Sequence, residues 1–213
     1  MTGIVQSVQV GRVAPLGRKA VPSGFVKRAV SGPVGVSSTG LSGDEQADLS
    51  VHGGPEKAIY AYAAGHYHDW QADFPEHSGM LIPGSMGENL TITGLDESDL
   101  CVGDVHRAGT TLLQVCQPRQ PCFKLSVYFG DAKLPRAMVR SGRSGWYYRV
   151  LEEGELWAGG ELTLIDRPTS FRFDRLVEIV NGAAATPGEL AALAHMPELA
   201  SSLRRSAQIA VGR

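Results

Sequence analysis

The stretch DLCVGDVHRAGTTLLQVCQPRQPCFKL, residues 99–125, contains two short apolar runs rich in valine and leucine, joined at Ala108-Gly109. Glycine at that point suits a tight hairpin turn between VHR and TTLLQV. The second run then meets Pro118 and Pro121, which fix two φ angles and remove two ladder donors. That composition reads as a strand ending in a stiff loop, and the loop carries a thiol, Cys122, between two cations.

The same texture extends in both directions. IVQSVQV and FVKRAV near the N-terminus, GMLIPG and ENLTITGL before the hairpin, and GWYYRVLEEGEL and GGELTLIDRP after it all read as short strands. The 26 glycines supply the turns between them. EKAIYAYAAGHYHDWQAD (56–73) is the best helix candidate in the first half, with Ala58, Tyr62, His66 and Trp70 on one i, i+4 row. LPRAMVRSG (134–142) reads as a short helix stopped by Gly142. Many short strands with a few helices predict a mainly β, α+β fold: a barrel with helical insertions.

The pattern changes after Arg167-Pro168. DRLVEIVNG places Leu176, Ile179 and Val180 on one stripe, with Asp174 as cap and Gly182 as stop. TPGELAALAHM carries a capping box, Thr186 with Glu189, and Pro187 at the first helical position. A third stripe runs Leu199, Leu203, Ala207. The expected organisation is a β-barrel domain over 1–167 and a three-helix unit over 168–213, too small to stand alone and docked on the barrel.

Composition excludes several classes. With 213 residues, 43% hydrophobic and 20% charged, the chain is ordinary globular material. Three cysteines without regular spacing make no disulfide framework. The N-terminus lacks a signal-peptide pattern and no run is long enough to span a membrane, so the expectation is a reduced, cytoplasmic protein. The net charge of −2 and the lack of a basic stripe with interleaved aromatics argue against nucleic acid. Charge is nevertheless segregated. Residues 1–43 hold five bases and no acid, 44–104 hold twelve acids against Lys57 alone, and 105–149 hold eight bases against Asp131. Two distant basic segments meeting at one cleft would focus potential on an anion; pairing with the acidic middle segment is the plainer alternative.

Among the cysteines, Cys101 and Cys116 lie inside apolar runs and read as core. Cys122 differs: Arg119 lies three residues before it and Lys124 two after, and nearby cations favour a thiolate. His52, ahead of Gly53-Gly54-Pro55 and an apparent helix, marks either a plain turn with a surface histidine, the simpler reading of this segment alone, or a place where backbone can approach an anion closely. Asp44, Glu88 and Asn89 follow glycines in polar spots and offer acceptors, while Arg143 lies in a glycine-serine loop. A structural zinc site is weakly indicated, since Cys116 and Cys122 are not spaced as CxxC and His66 and His68 do not share a helical face. Phosphate-loop, dinucleotide and iron–sulfur motifs are absent from the sequence.

Taken in order, GLSGDEQADLSVHGGPEKAIYAY (40–62), GENLTITGL (87–95), CVGD (101–104), QVCQPRQPCFKL (114–125) and GRSGWYYRVLEEG (142–154) resemble the MOSC family, named for the molybdenum cofactor sulfurase C-terminal domain, and within it the YiiM-type branch. The resemblance implies a MOSC-type β-barrel followed by a small helical unit. It implies that Cys122 is the family's reactive cysteine, a ligand to molybdenum or a carrier of sulfur, and that the cofactor is the molybdenum cofactor (Mo-molybdopterin). It implies reduction of N-hydroxylated compounds such as 6-hydroxylaminopurine to amines, with electrons from a separate donor protein. On that reading Lys27, His52, Arg119, Lys124 and Arg143 make phosphate and polar contacts. Asp44, Glu88 and Asn89 accept from heterocycle N–H groups, and His52 donates a proton. A sulfurtransferase working through a Cys122 persulfide and a non-catalytic cofactor carrier are the alternatives. The expected assembly is a homodimer.

Overall fold

The computed structural model describes residues 2–48 and 52–212; Met1, Arg213 and Leu49–Val51, including the first residue of the VHGGPEK motif, fall outside the description. Seven strands close a barrel: β1 (Thr2–Val10), β7 (Ile59–Ala63), β8 (Leu90–Thr93), β9 (Val105–Ala108), β10 (Thr111–Pro118), β11 (Trp146–Glu152) and β13 (Glu161–Asp166). Around the ring the order is β13-β9-β10-β11-β7-β8-β1, and β1 pairs back onto β13 through Gly3↔Leu162. Closure leaves the barrel strands no free edge. The remaining strands are accessory. β4 (Arg28–Val30) adds to β1. β2 (Ala14–Leu16) pairs with β3 (Val21–Ser23), and β5 (Val34–Ser37), β6 (Gly40–Leu41) and β12 (Gly154–Leu156) form a small sheet.

The predicted β9–β10 hairpin forms, with Thr111 opposite Ala108. β10 then runs to Pro118 and pairs with β11 through two register shifts. Such shifts bend the strands and re-aim their ends, here at the proline loop.

Residues 56–73 divide where one helix was expected. Pro55–Lys57 form a 3-10 turn, β7 follows, and only α1 (Gly65–Asp73) is helical. β7 is buried on both faces. Ile59, Ala61 and Ala63 point into the barrel core, and Tyr60 and Tyr62 into a second aromatic cluster. A strand covered on both sides does not alternate, so its sequence mimics a helix. α1 is part of the crossover that joins β7 to β8, the one parallel pair among the described strands. GMLIPG, expected as a strand, folds as successive turns with Met80 N bonded to His77 O (2.8 Å) and Ser85 N to Ile82 O (2.9 Å).

Two helices follow the proline loop, α2 (Phe123–Phe129) and α3 (Lys133–Ser141). α3 ends as expected at Gly142, whose φ of 74° closes the helix. Their apolar faces, Leu125, Phe129, Leu134 and Met138, join Trp70, Phe74 and Tyr67 of the crossover in the aromatic cluster outside the barrel.

α4 (Phe173–Val180), α5 (Pro187–Ala194) and α6 (Ser201–Val211) form the C-terminal segment. The Thr186–Glu189 capping box is present. The cap of α4 is Arg172, and Asp174 sits inside the first turn, paired with Arg172. Phe173, Leu176, Leu193 and Leu199 belong to the same core cluster as Leu113 and Val115 of the barrel. Among the described residues, no helix is long and apolar enough to cross a membrane.

Candidate functional site

A pocket opens beside the end of β10, lined by Lys27, Asp44, His52, Asn89, Arg119, Cys122 and Lys124. These residues come from four separated stretches of chain. Close backbone approaches hold the stretches together. A Cβ on Gly24 would collide with the carbonyl oxygen of Glu45, and one on Gly87 (φ 81°) would lie 2.9 Å from the Phe25 ring.

The floor is an ion pair. Lys27 Nζ donates to Asp44 Oδ1, with both side chains sealed from solvent. Asp44 also accepts from Gly11 N (2.7 Å), Asn89 Nδ2 (2.9 Å) and Gln46 Nε2 (3.1 Å). Asn89 in turn accepts from Tyr60 N (3.1 Å). These two residues therefore organise the floor, and their hydrogen-bonding capacity is largely spent within the protein. Burial lowers the Lys27 pKa, and Asp44 opposes that shift.

The wall belongs to the proline loop. Cys122 is half-buried, adopts extended backbone and caps α2, a short helix that sequence periodicity did not reveal. Arg119 is 8% exposed; its guanidinium lies over the Tyr60 ring, 4.9 Å from the centroid, with Nη2 3.9 Å from Cys122 Sγ. Burial opposes the Arg119 charge, but Tyr147, Tyr60 and Cys122 outweigh it and raise the pKa. Lys124 is also 8% exposed. Among the described residues, no carboxylate pairs with Arg119 or Lys124, and no hydrogen bond engages the Lys124 ammonium. Two buried cations that no described carboxylate pairs with, beside a reachable thiol, leave positive charge available to an anion.

His52 also lines the pocket. Burial first, then Lys124, Arg119 and Lys57, lower its pKa below the ordinary imidazole value, and Asp48 opposes them. At neutral pH it is therefore an uncharged imidazole that offers one donor and one acceptor.

The other thiols are closed off. Cys116 is fully buried with its Sγ 3.1 Å from Glu56 O, and burial pushes its pKa up to about 12. Burial also raises Cys101.

A model of the MOSC domain matches residues 48–163. The chain belongs to the MOSC domain family. This MOSC chain is 38% identical over 166 residues to protein YiiM of Escherichia coli (strain K12), covering 78% of this chain and 70% of that protein. It is 40% identical over 172 residues to a protein named reductase from Gibberella moniliformis (strain M3125 / FGSC 7600), covering 78% of this chain and 30% of that longer protein. The crystal structure of YiiM from Geobacillus stearothermophilus matches it with a TM-score of 0.81 at 33% identity, covering 98% of this chain and 99% of that one.

Two predicted site residues of the MOSC chain lie elsewhere. Glu88 is fully buried behind the pocket, where its carboxylate accepts from Tyr67 Oη (2.6 Å), Gly84 N (2.6 Å), Thr91 Oγ1 (2.8 Å) and Met86 N (3.2 Å). It ties down the turn that carries Gly87. Arg143 faces a second cleft, bonded to Asp73 Oδ2 (2.7 Å) and lying 4.6 Å from the Trp70 ring centroid. Conversely, Lys57, Tyr60 and Tyr147 line the MOSC pocket and were not singled out from sequence. Strand parity held a signal for Tyr147. Its neighbours Trp146 and Tyr148 enter the barrel core, so Tyr147 must face outward.

Proposed function

We propose that this MOSC protein is an oxidoreductase that binds the molybdenum cofactor at Cys122 and reduces N-hydroxylated compounds such as 6-hydroxylaminopurine to amines. The observation that carries the reading is the pairing of a half-buried thiol with two buried cations, Arg119 and Lys124, that no carboxylate counters among the described residues. That donor set suits a soft-metal group carried on an anionic pterin phosphate. When bound, the cofactor supplies the two electrons that, with two protons, convert N–OH to N–H and release water.

The chain's own residues have separable tasks. Cys122 presents sulfur, with Arg119 Nη2 3.9 Å from it. Arg119 and Lys124 hold negative charge, while Lys27, paired with Asp44, shapes the floor. An anion in the pocket would oppose the three cations that depress His52, letting it bind a proton and pass it to a leaving oxygen. Electrons come from a donor outside these 213 residues, which carry no dinucleotide or iron–sulfur motif.

The test is Cys122→Ser in protein from molybdate-fed cells, with molybdenum and pterin content, N-hydroxyadenine reduction and thermal unfolding measured together. Reduction should vanish while the unfolding transition stays in place. Retained reduction overturns the assignment. An extra sulfur on wild-type Cys122 without molybdenum would assign it to sulfur transfer instead.

A further inference from the structure

Glu56 sits where three parts of the chain meet. Its carboxylate accepts from Ser201 N (2.9 and 3.0 Å), Ser201 Oγ (2.8 Å) and Arg149 Nη2 (2.9 Å). Ser201 opens α6 and Arg149 lies on β11, so one side chain bolts the C-terminal segment to the barrel. The backbone of the same residue reaches a third part. Glu56 O accepts from Gln117 Nε2 (2.7 Å) and Cys116 Sγ (3.1 Å), at the end of β10. Ala200 N closes the junction by donating to Cys116 O (3.0 Å).

This junction ties together two of the chain stretches that line the pocket. On one side, Glu56 belongs to the 3-10 turn Pro55–Lys57, and His52, Gly53 and Lys57 from the same stretch line the pocket. Pro55 and the two glycines at φ 85° and 83° fold this stretch into a short turn with little slack. On the other side, Gln117 leads directly into Pro118, Arg119 and Cys122. A shift of Glu56 therefore moves the histidine wall and the thiol wall relative to each other.

We propose that Glu56 is a positioning residue that couples the C-terminal helical segment to the geometry of the anion pocket. The inference rests on reading that pocket as an anion site. It assigns the helical segment a part in function beyond completing the core. Its signature is a sign. Glu56 carries negative charge near a cationic pocket, so loss of that charge alone would strengthen anion binding. Loss of positioning weakens it.

The experiment uses the full chain with Glu56→Gln and Ser201→Ala, inorganic sulfate as the probe, and calorimetry for affinity. The rates of Cys122 alkylation by iodoacetate and iodoacetamide are compared alongside, since the anionic reagent senses the pocket's field and the neutral one does not. Glu56→Gln should lower sulfate affinity about tenfold and reduce the preference for iodoacetate. Ser201→Ala, which deletes one of the bonds, should act in the same direction more weakly. Unchanged or strengthened sulfate binding in both variants, with wild-type binding intact, overturns the positioning role alone. A wild-type protein that neither binds sulfate nor prefers iodoacetate overturns the anion pocket and the inference with it.

Discussion

Lys27 and Asp44 form an ion pair at the floor of the pocket, both side chains shielded from water and 17 residues apart in sequence. Asp44 binds three further donors, so it is the hub, and Lys27 is the one charged partner it has among the described residues.

Removing the hub should cost more than removing the spoke. Asp44→Ala strands a buried ammonium and three donors, and should destabilise the protein by about 3–5 kcal/mol. Lys27→Met leaves Asp44 with its three other donors and should cost less. The double variant Lys27→Met/Asp44→Ala should fall well short of the sum. Urea unfolding of the four proteins checks this, and additive losses would show that the pair is not coupled.

Anion binding should be linked to the protonation of His52. Burial first, then Lys124, Arg119 and Lys57, depress its pKa in the free pocket, and an anion among the cations relieves their share of that depression. Binding then takes up a proton, so sulfate affinity should rise by about tenfold as pH falls from 8 to 5. Sulfate does not titrate in this range. His52→Gln should flatten the profile; an unchanged slope would assign the linkage to another group.

His106 gives the fold its own pH dependence. It is buried on β9 with Nδ1 3.0 Å from Tyr148 Oη, and burial lowers its pKa to about 4. The unfolded chain takes up the proton near the ordinary value of 6.5, and the folded chain only near 4. Stability is thus intact above 6.5 and falls as pH drops through this window, by at most about 3 kcal/mol. His106→Gln should remove that part of the acid dependence in urea unfolding measured from pH 7 to pH 4.

Local chemistry was legible along the chain. The glycine turn of the β9–β10 hairpin, the Thr186–Glu189 capping box and the Gly142 stop each depend on residues within a few positions, and each forms. The candidate thiol was legible for the same reason: prolines and cations within five residues mark Cys122 as different from Cys101 and Cys116, whose burial follows from apolar runs. Where local pattern was ambiguous, it misled. Tyr60 and Tyr62 look helical with their neighbours because β7 has a core on each face, and a one-dimensional pattern does not show the second core.

What the chain's order of residues determined was therefore the vocabulary: strands, turns, caps, a thiol on a stiff loop and bases segregated from acids. Which charges became buried and which found partners was decided only when the barrel closed. Asp44 neutralises Lys27, Asp73 holds Arg143 in a different cleft, and Arg119 and Lys124 remain uncountered beside Cys122 among the described residues. The physical reason is range. A cap or turn is settled by hydrogen bonds between near neighbours, whereas desolvation and ion pairing depend on what distant segments bring into contact.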